Sequence, residues 1–162
     1  MQDYLITIAD FRTLTPVSFN LDEQWINGLF EYCQFEIGEC VGDSLVQEIL
    51  DQINLNTLTP ENIALLALIK PVYAWLLYSE SVRFSSYRME NKGMAYNLDS
   101  SNAIIPNGTI SQIKLDAKAK SDYYKLKLVK YLNENHLLYP LFPYNVDCRL
   151  NKGCSTTFPL FV

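Results

Sequence analysis

The chain has 162 residues, of which 49% are hydrophobic, 13% aromatic and only 19% charged. A chain of this length forms one domain by default and buries about two thirds of the surface its unfolded form exposes, so it needs no staple. The formal net charge of -5 and pI near 4.8 argue against a dedicated nucleic-acid binder, and the shortage of charge leaves apolar surface to meet a partner.

At the N-terminus, MQDYLITIADF has an acid at Asp3 and no basic flank before its apolar residues, which predicts no secretory signal and folding in a reducing cytoplasm. After a short extended lead from Tyr4, Thr7 and Asp10 stand three apart as a capping box with Asp in place of Glu, opening a short helix that Thr15-Pro16 closes. Asn20 with Glu23 opens the next helix. There Trp25, Ile26, Leu29, Phe30, Cys33 and Ile37 recur at helical spacing, and Gly38 and Gly42 mark its weakening and end. Asp43 is the expected cap of a third helix, whose stripe is Leu45, Val46, Ile49, Leu50 and Ile53.

The stretch Thr59 to Tyr78 is the longest nearly uninterrupted apolar run. Thr59 caps it, Pro60 suits the first helical position and Glu61 complements the positive helix end. Its apolar residues fall on almost every side, which predicts a central buried helix, and Pro71 predicts a kink or a break into two stacked pieces. Lys70, Pro71 and Glu61-Asn62 leave fewer than the roughly 18 consecutive apolar residues of a membrane span, so a core helix is expected and no membrane. Beyond Tyr78 the alternation around Asn91-Lys92-Gly93 predicts a β-hairpin at about 82–98, lying against the helices or pairing with another chain. A polar loop then spans Asp99 to Gly108.

The last long helix is expected from Thr109 or Ser111 to about Asn135, with Ile110, Ile113, Ala117, Tyr124, Leu128 and Tyr131 on its core face. Leu115, Ala119, Leu126 and Val129 form a second apolar strip opposite. That strip is either a subunit interface or a second face packed inside one domain. Lys114, Lys118 and Lys125 align on the same helix, either as a solvated face or as a contact for an acidic partner or passing DNA. Pro140, Pro143, Pro159 and Lys152-Gly153 make 143–162 an extended arm. Phe158, Leu160, Phe161 and Val162 make it too apolar for a disordered tail; it either reaches a neighbouring protein or folds back as a lid.

Catalytic chemistry finds little purchase. Cys33, Cys40, Cys148 and Cys154 form no CxxC pair and no histidine completes a zinc site, so neither metal nor cofactor is expected. No Gly-rich phosphate loop, GxSxG elbow or HExxH pair occurs, and His136, the only histidine, sits where a helix C-terminus favours a cation. A non-enzyme is expected.

Four stretches in order, LITIADFRTLTPV, NLDEQWINGLFEYCQFEIGECVGDSLVQEILDQI, LTPENIALLALIKPVYAWLLYSESVRFSSYRMENKGMAYN and KSDYYKLKLVKYLNENHLLYPLF, resemble the head-to-tail connector proteins of tailed bacteriophages. The likeness is strongest to adaptor or ring proteins of phages infecting Bacteroides and its relatives, including crAss-like phages. Its marks are the early Thr-Pro, the glycine-ended helix followed by a short one, the Lys92-Gly93 turn and the closing YLNEN...YP at Tyr131 to Pro140. The resemblance implies a mainly α fold, a helical bundle around a central buried helix, with 1–142 as the connector domain. It also implies a virion neck protein, assembled in the host cytoplasm as a homo-oligomeric, dodecameric ring under the portal. Such a ring extends the channel through which genomic DNA passes without sequence-specific binding, and offers a platform to other neck or tail proteins. Cys148 to Val162 departs from the pattern, which tends to stop near the Tyr-Pro. The alternative from another class is a monomeric or dimeric helical module binding a host protein or small ligand.

Overall fold

The computed structural model describes residues 3–17, 23–85, 87–90, 93–96 and 107–143. Five helices pack together among them: α1 (Ile8–Leu14), α2 (Glu23–Val41), α3 (Asp43–Leu55), α4 (Pro60–Ser85) and α5 (Asn107–Glu134). The expected Asn20 cap, most of the Asp99–Gly108 loop and the arm from Tyr144 onward lie outside the described residues.

The first helix starts as its local chemistry dictates. The Thr7 hydroxyl accepts from the Asp10 amide at 3.1 Å, and the Asp10 carboxylate accepts from the Thr7 amide at 3.0 Å, which closes the capping box. The same carboxylate receives Lys70 of α4 at 2.8 Å, tying the cap to the central helix. Burial alone would raise the Asp10 pKa, but Lys70 and the Thr7 hydrogen bonds outweigh it and hold the carboxyl below its ordinary range. Stability from the charged form is therefore complete above the ordinary carboxylate pKa and fades as pH falls through the lowered folded value. Asp10→Asn should cost about 1 kcal/mol at neutral pH, a typical cap loss. The difference in urea midpoint from the wild type should shrink in acid, and an unchanged difference there would contradict this linkage.

Ahead of α1 the chain lead is pinned to α2 by one side chain. Gln34 accepts from the Leu5 amide and donates to the Asp3 carbonyl, both at 3.1 Å, so Leu5 and Ile6 are held in the core. Helix α2 gives way to α3 at Gly42, whose φ of 92° is a left-handed conformation that favours glycine. Asp43 was the expected cap. Instead Gly42 holds the cap position without a side-chain bond, and Asp43 is the first helical residue, its carboxylate lying over Gly38 where a larger side chain would collide. Between α3 and α4 a polar clamp does the joining. The Thr59 hydroxyl caps α4 through the Asn62 amide at 3.2 Å, while the buried Asn62 donates to Gln52 at 2.9 Å and to Glu48 at 3.3 Å.

Central helix α4 packs against α1, α2 and α5, most extensively against α5. From Val72 to Leu77 its apolar residues point into the core on several sides; its first two turns instead leave Ile63, Ala64 and Ala67 exposed. The helix runs through Pro71 as one element, so of the kink or break expected there, the break does not occur. Pro71 frees the carbonyl of Ala67, and Ala67 is exposed, so water can take that bond while neighbours on the other sides hold the helix. It also runs on to Ser85 rather than stopping at Tyr78, because no Gly or Pro occurs between Pro71 and Gly93. The expected hairpin at 82–98 accordingly narrows. Val82 to Ser85 are helical, and only β1 (Tyr87–Glu90) and β2 (Gly93–Tyr96) pair, antiparallel, with Tyr87 opposite Tyr96 and Glu90 opposite Gly93. The α4 stretch from Pro60 to Val82 is long and apolar enough to cross a membrane, and here it is the core helix of the bundle.

Helix α5 begins at Asn107, ahead of both expected starts, Thr109 and Ser111, and runs antiparallel to α4, as three contacts spaced along it show. Lys114 meets Glu80, the Ser121 hydroxyl donates to the Val72 carbonyl at 2.9 Å, and beyond the helix end Tyr139 reaches Glu61. Ala117 and Ser121 put small side chains on this seam, and Leu128 and Leu132 fill it completely. After Glu134 a series of turns carries the chain back, with Leu138, Tyr139 and Phe142 each donating to a carbonyl three residues earlier. Leu141 and Pro143 then pass over Gly42, leaving no room for a side chain there.

Candidate functional site

No group of His, Cys, Asp or Glu among the described residues is arranged to hold a metal. The thiols nearest to chemistry, Cys33 and Cys40, are buried and unbridged. Burial, reinforced by the charges of Glu80 and Glu36, pushes the Cys33 thiol up to about 12, which removes it as a nucleophile. His136 stands just past α5, exposed, with Nδ1 3.2 Å from the Asn133 carbonyl.

The surface carries the more informative features. Ala117, Ser121, Leu128 and Leu132 direct one side of α5 into the core, and the opposite side carries Leu115 and Leu126, 61% and 46% exposed, with the exposed Ala119 between them. Three of the four residues read as a second apolar strip therefore face away from the fold. Val129, the fourth, is half-buried against the edge of the core. Tyr123 extends the strip, 55% exposed, with the Lys127 ammonium 4.4 Å from its ring centroid.

The three aligned lysines have different surroundings. Lys114 pairs with Glu80 at 3.7 Å, Lys118 is exposed but near enough to Cys33 to oppose a small part of the rise of that thiol's pKa, and Lys125 is half-buried. Two of the three thus interact with groups on α2 or α4 of the same chain. Lys120, not singled out by the alignment argument, lies 4.0 Å over the Trp75 ring and helps hold α5 on α4. Phe158, Leu160, Phe161 and Val162 of the arm lie outside the described residues.

A face on α2 escaped the sequence reading. Tyr32 and Phe35 are 48% and 60% exposed, opposite Ile26, Phe30, Cys33 and Ile37, which enter the core. Their spacing with Gly28 and Glu39 is helical and was visible in the sequence, hidden only by attention to the core stripe of the same helix. Charge is also divided unevenly. No Lys or Arg occurs between Arg12 and Lys70, and α2 carries Glu23, Glu31, Glu36 and Glu39. Helix α5 holds almost half of the chain's 13 basic residues.

Another exposed apolar group lies at the end of the bundle where α4 begins and α5 stops. Ile63 and the turn residues Leu137, Leu138 and Leu141 are exposed there, brought to the same end by the hydrogen bond from Tyr139 to Glu61.

No curated protein and no solved structure matches the chain. A family model described as a family of unknown function, DUF6712, matches residues 37–152, more than half of the chain, and the protein belongs to that family.

Proposed function

We propose that the protein is a structural component of a tailed-phage virion: a head-to-tail connector, or adaptor, that assembles as a dodecameric ring below the portal. In this reading the ring lengthens the DNA channel and offers a platform to neck or tail proteins, with genomic DNA passing through ungripped. The observation that carries it is the outward side of α5. Leu115 and Leu126 lie opposite the core on a helix otherwise rich in lysine, which is how a helix looks when one side belongs to its own fold and the other to a neighbour. The ordered likeness of four sequence stretches to phage connector proteins supports the same reading.

The arm has a place in it. Its closing residues, Phe158, Leu160, Phe161 and Val162, are apolar enough to need a surface, and the described residues end at Pro143, two residues past the exposed Leu141. The arm then reaches the adjacent subunit, the portal or the next neck protein, as an added strand or in an apolar groove. Mixing the purified chain with a portal and imaging the product tests the reading. A ring seated on the portal is expected. Removing 147–162 should leave a folded, soluble subunit that no longer joins the complex. Failure of the intact chain to bind the portal or form any ring overturns the function, and a truncated chain that still joins overturns the role of the arm.

A further inference from the structure

We infer that the outward side of α2 in one copy receives the outward side of α5 in a second copy, so that subunits join head to tail through two different surfaces. The inference rests on the self-assembly reading above and specifies which surfaces carry it. Each helix buries one side in the same core and leaves apolar residues on the other: Tyr32 and Phe35 on α2, Leu115 and Leu126 on α5. Taken separately, neither side says what covers it. Together they are complementary in charge.

The α2 side is purely acidic at its margins, with Glu31 and Glu39 exposed beside the aromatic pair and no basic residue on the helix. The α5 side carries exposed Lys118, Lys127 and Lys130 alongside exposed Asp116 and Glu134, with Lys130 3.8 Å from Glu134; the helix as a whole holds six lysines against three acids. Placing α2 on α2 sets glutamates against glutamates with no cation to offset them, whereas α5 offers the ammonium groups that the α2 side lacks. Opposite sides place carboxylates against ammonium groups around an apolar centre, the usual arrangement of an apolar interface core and a polar rim. The shapes agree with this division. Gly28, with open space where a side chain would be, leaves a shallow place on α2 next to Phe35, while α5 presents branched leucines. An interface between two different surfaces does not close after two copies. It continues to a ring when the rotation closes and to a filament otherwise.

Site-specific cross-linking of the full chain tests this. In a background where Cys148 and Cys154 are serine, Phe35→Cys and Leu126→Cys are made separately and together, and treated with a short bis-maleimide. The buried Cys33 and Cys40 provide no competing thiol. Each single variant alone is expected to stay monomeric on a denaturing gel. An equal mixture should give a covalent dimer, and the double variant a ladder of higher species. Leu126→Cys or Phe35→Cys cross-linking to itself would overturn the head-to-tail arrangement and leave self-assembly standing. Absence of cross-links while the wild type sediments as an oligomer would have the same meaning. Absence of cross-links together with a monomeric wild type at all concentrations would overturn both. Charge exchange adds an independent readout. Glu31→Lys with Glu39→Lys, and Lys127→Glu with Lys130→Glu, should each raise the assembly concentration at least tenfold, and mixing the two variants should restore it. Mixed variants that assemble no better than either alone would count against the pairing.

Discussion

Tyr139→Ala should lower the unfolding free energy by about 3–5 kcal/mol, the range for removing a large aromatic side chain from a core. Tyr139 is 2% exposed although it lies beyond the last helix, in turns that would otherwise have little to hold them. Its hydroxyl donates to the Glu61 carbonyl at 2.8 Å and lies 3.2 Å from the Tyr131 hydroxyl, and its ring packs on Tyr131 at 6.0 Å. One side chain thus joins the start of α4, the end of α5 and the returning turn. Tyr139→Phe keeps the packing and loses only the hydroxyl, so it should cost about 1 kcal/mol. Burial, with Tyr131 and Glu61 adding to it, raises the pKa of Tyr139. The unfolded chain therefore releases its proton first, and stability should fall as pH rises above about 10, less steeply in Tyr139→Phe. Urea titrations of the three proteins at neutral and alkaline pH give these values. If Tyr139→Ala unfolds within about 1 kcal/mol of the wild type, the turn is not fastened as the hydrogen bonds indicate.

That fastening was the least legible part of the fold. Cap chemistry is local, and the sequence carries it openly: Thr7 with Asp10, Thr59 with Pro60, and Gly42 between two amphipathic runs all act where their neighbours in sequence place them. Contacts that join distant elements leave no such signature. Nothing about Lys70 indicates that it closes on Asp10, nor does Ser121 announce Val72 or Tyr139 announce Glu61, because each partner lies 49 or more residues away in sequence. The course of α4 shows the same competition. Pro71 is a local reason for a kink or a break, and packing on α1, α2 and α5 keeps the helix in one piece at a site where Ala67, whose carbonyl is freed, is exposed.

The surface was half legible for a related reason. Periodicity shows that α5 has two apolar sides, since a helix rich in lysine makes any second strip conspicuous. On α2 the exposed Tyr32 and Phe35 sit among residues that are mostly apolar anyway, so the outer side merges with the core stripe until burial separates them. Lys114 shows what alignment alone leaves out. Alignment with Lys118 and Lys125 offered it a solvated or partner-facing role, while Glu80, about five and a half turns from the start of α4 in a helix otherwise short of acids, is its partner.

Leu126→Asp should leave the isolated subunit folded and abolish assembly. In the monomer the Leu126 side chain is 46% exposed and opposite the core, so an aspartate there remains hydrated. The cost to folding should be about 0.5 kcal/mol, mostly the poorer helix propensity of Asp. Placed against a dry neighbour, the same carboxylate loses its hydration without gaining a partner, at a cost of several kcal/mol. At 1.4 kcal/mol for each factor of ten, that raises the assembly concentration more than a hundredfold. The lysines flanking the strip do not rescue it, because Lys127 lies over the Tyr123 ring and Lys130 pairs with Glu134, and in the proposed pairing both also meet the glutamates of α2. Leu128→Asp, two residues along and fully buried, is the contrasting variant and should unfold the subunit itself. Thermal melting and sedimentation of both variants separate the two effects. If Leu126→Asp melts like Leu128→Asp, the strip belongs to the core of the fold. If it melts and assembles like the wild type, the outward side of α5 meets nothing.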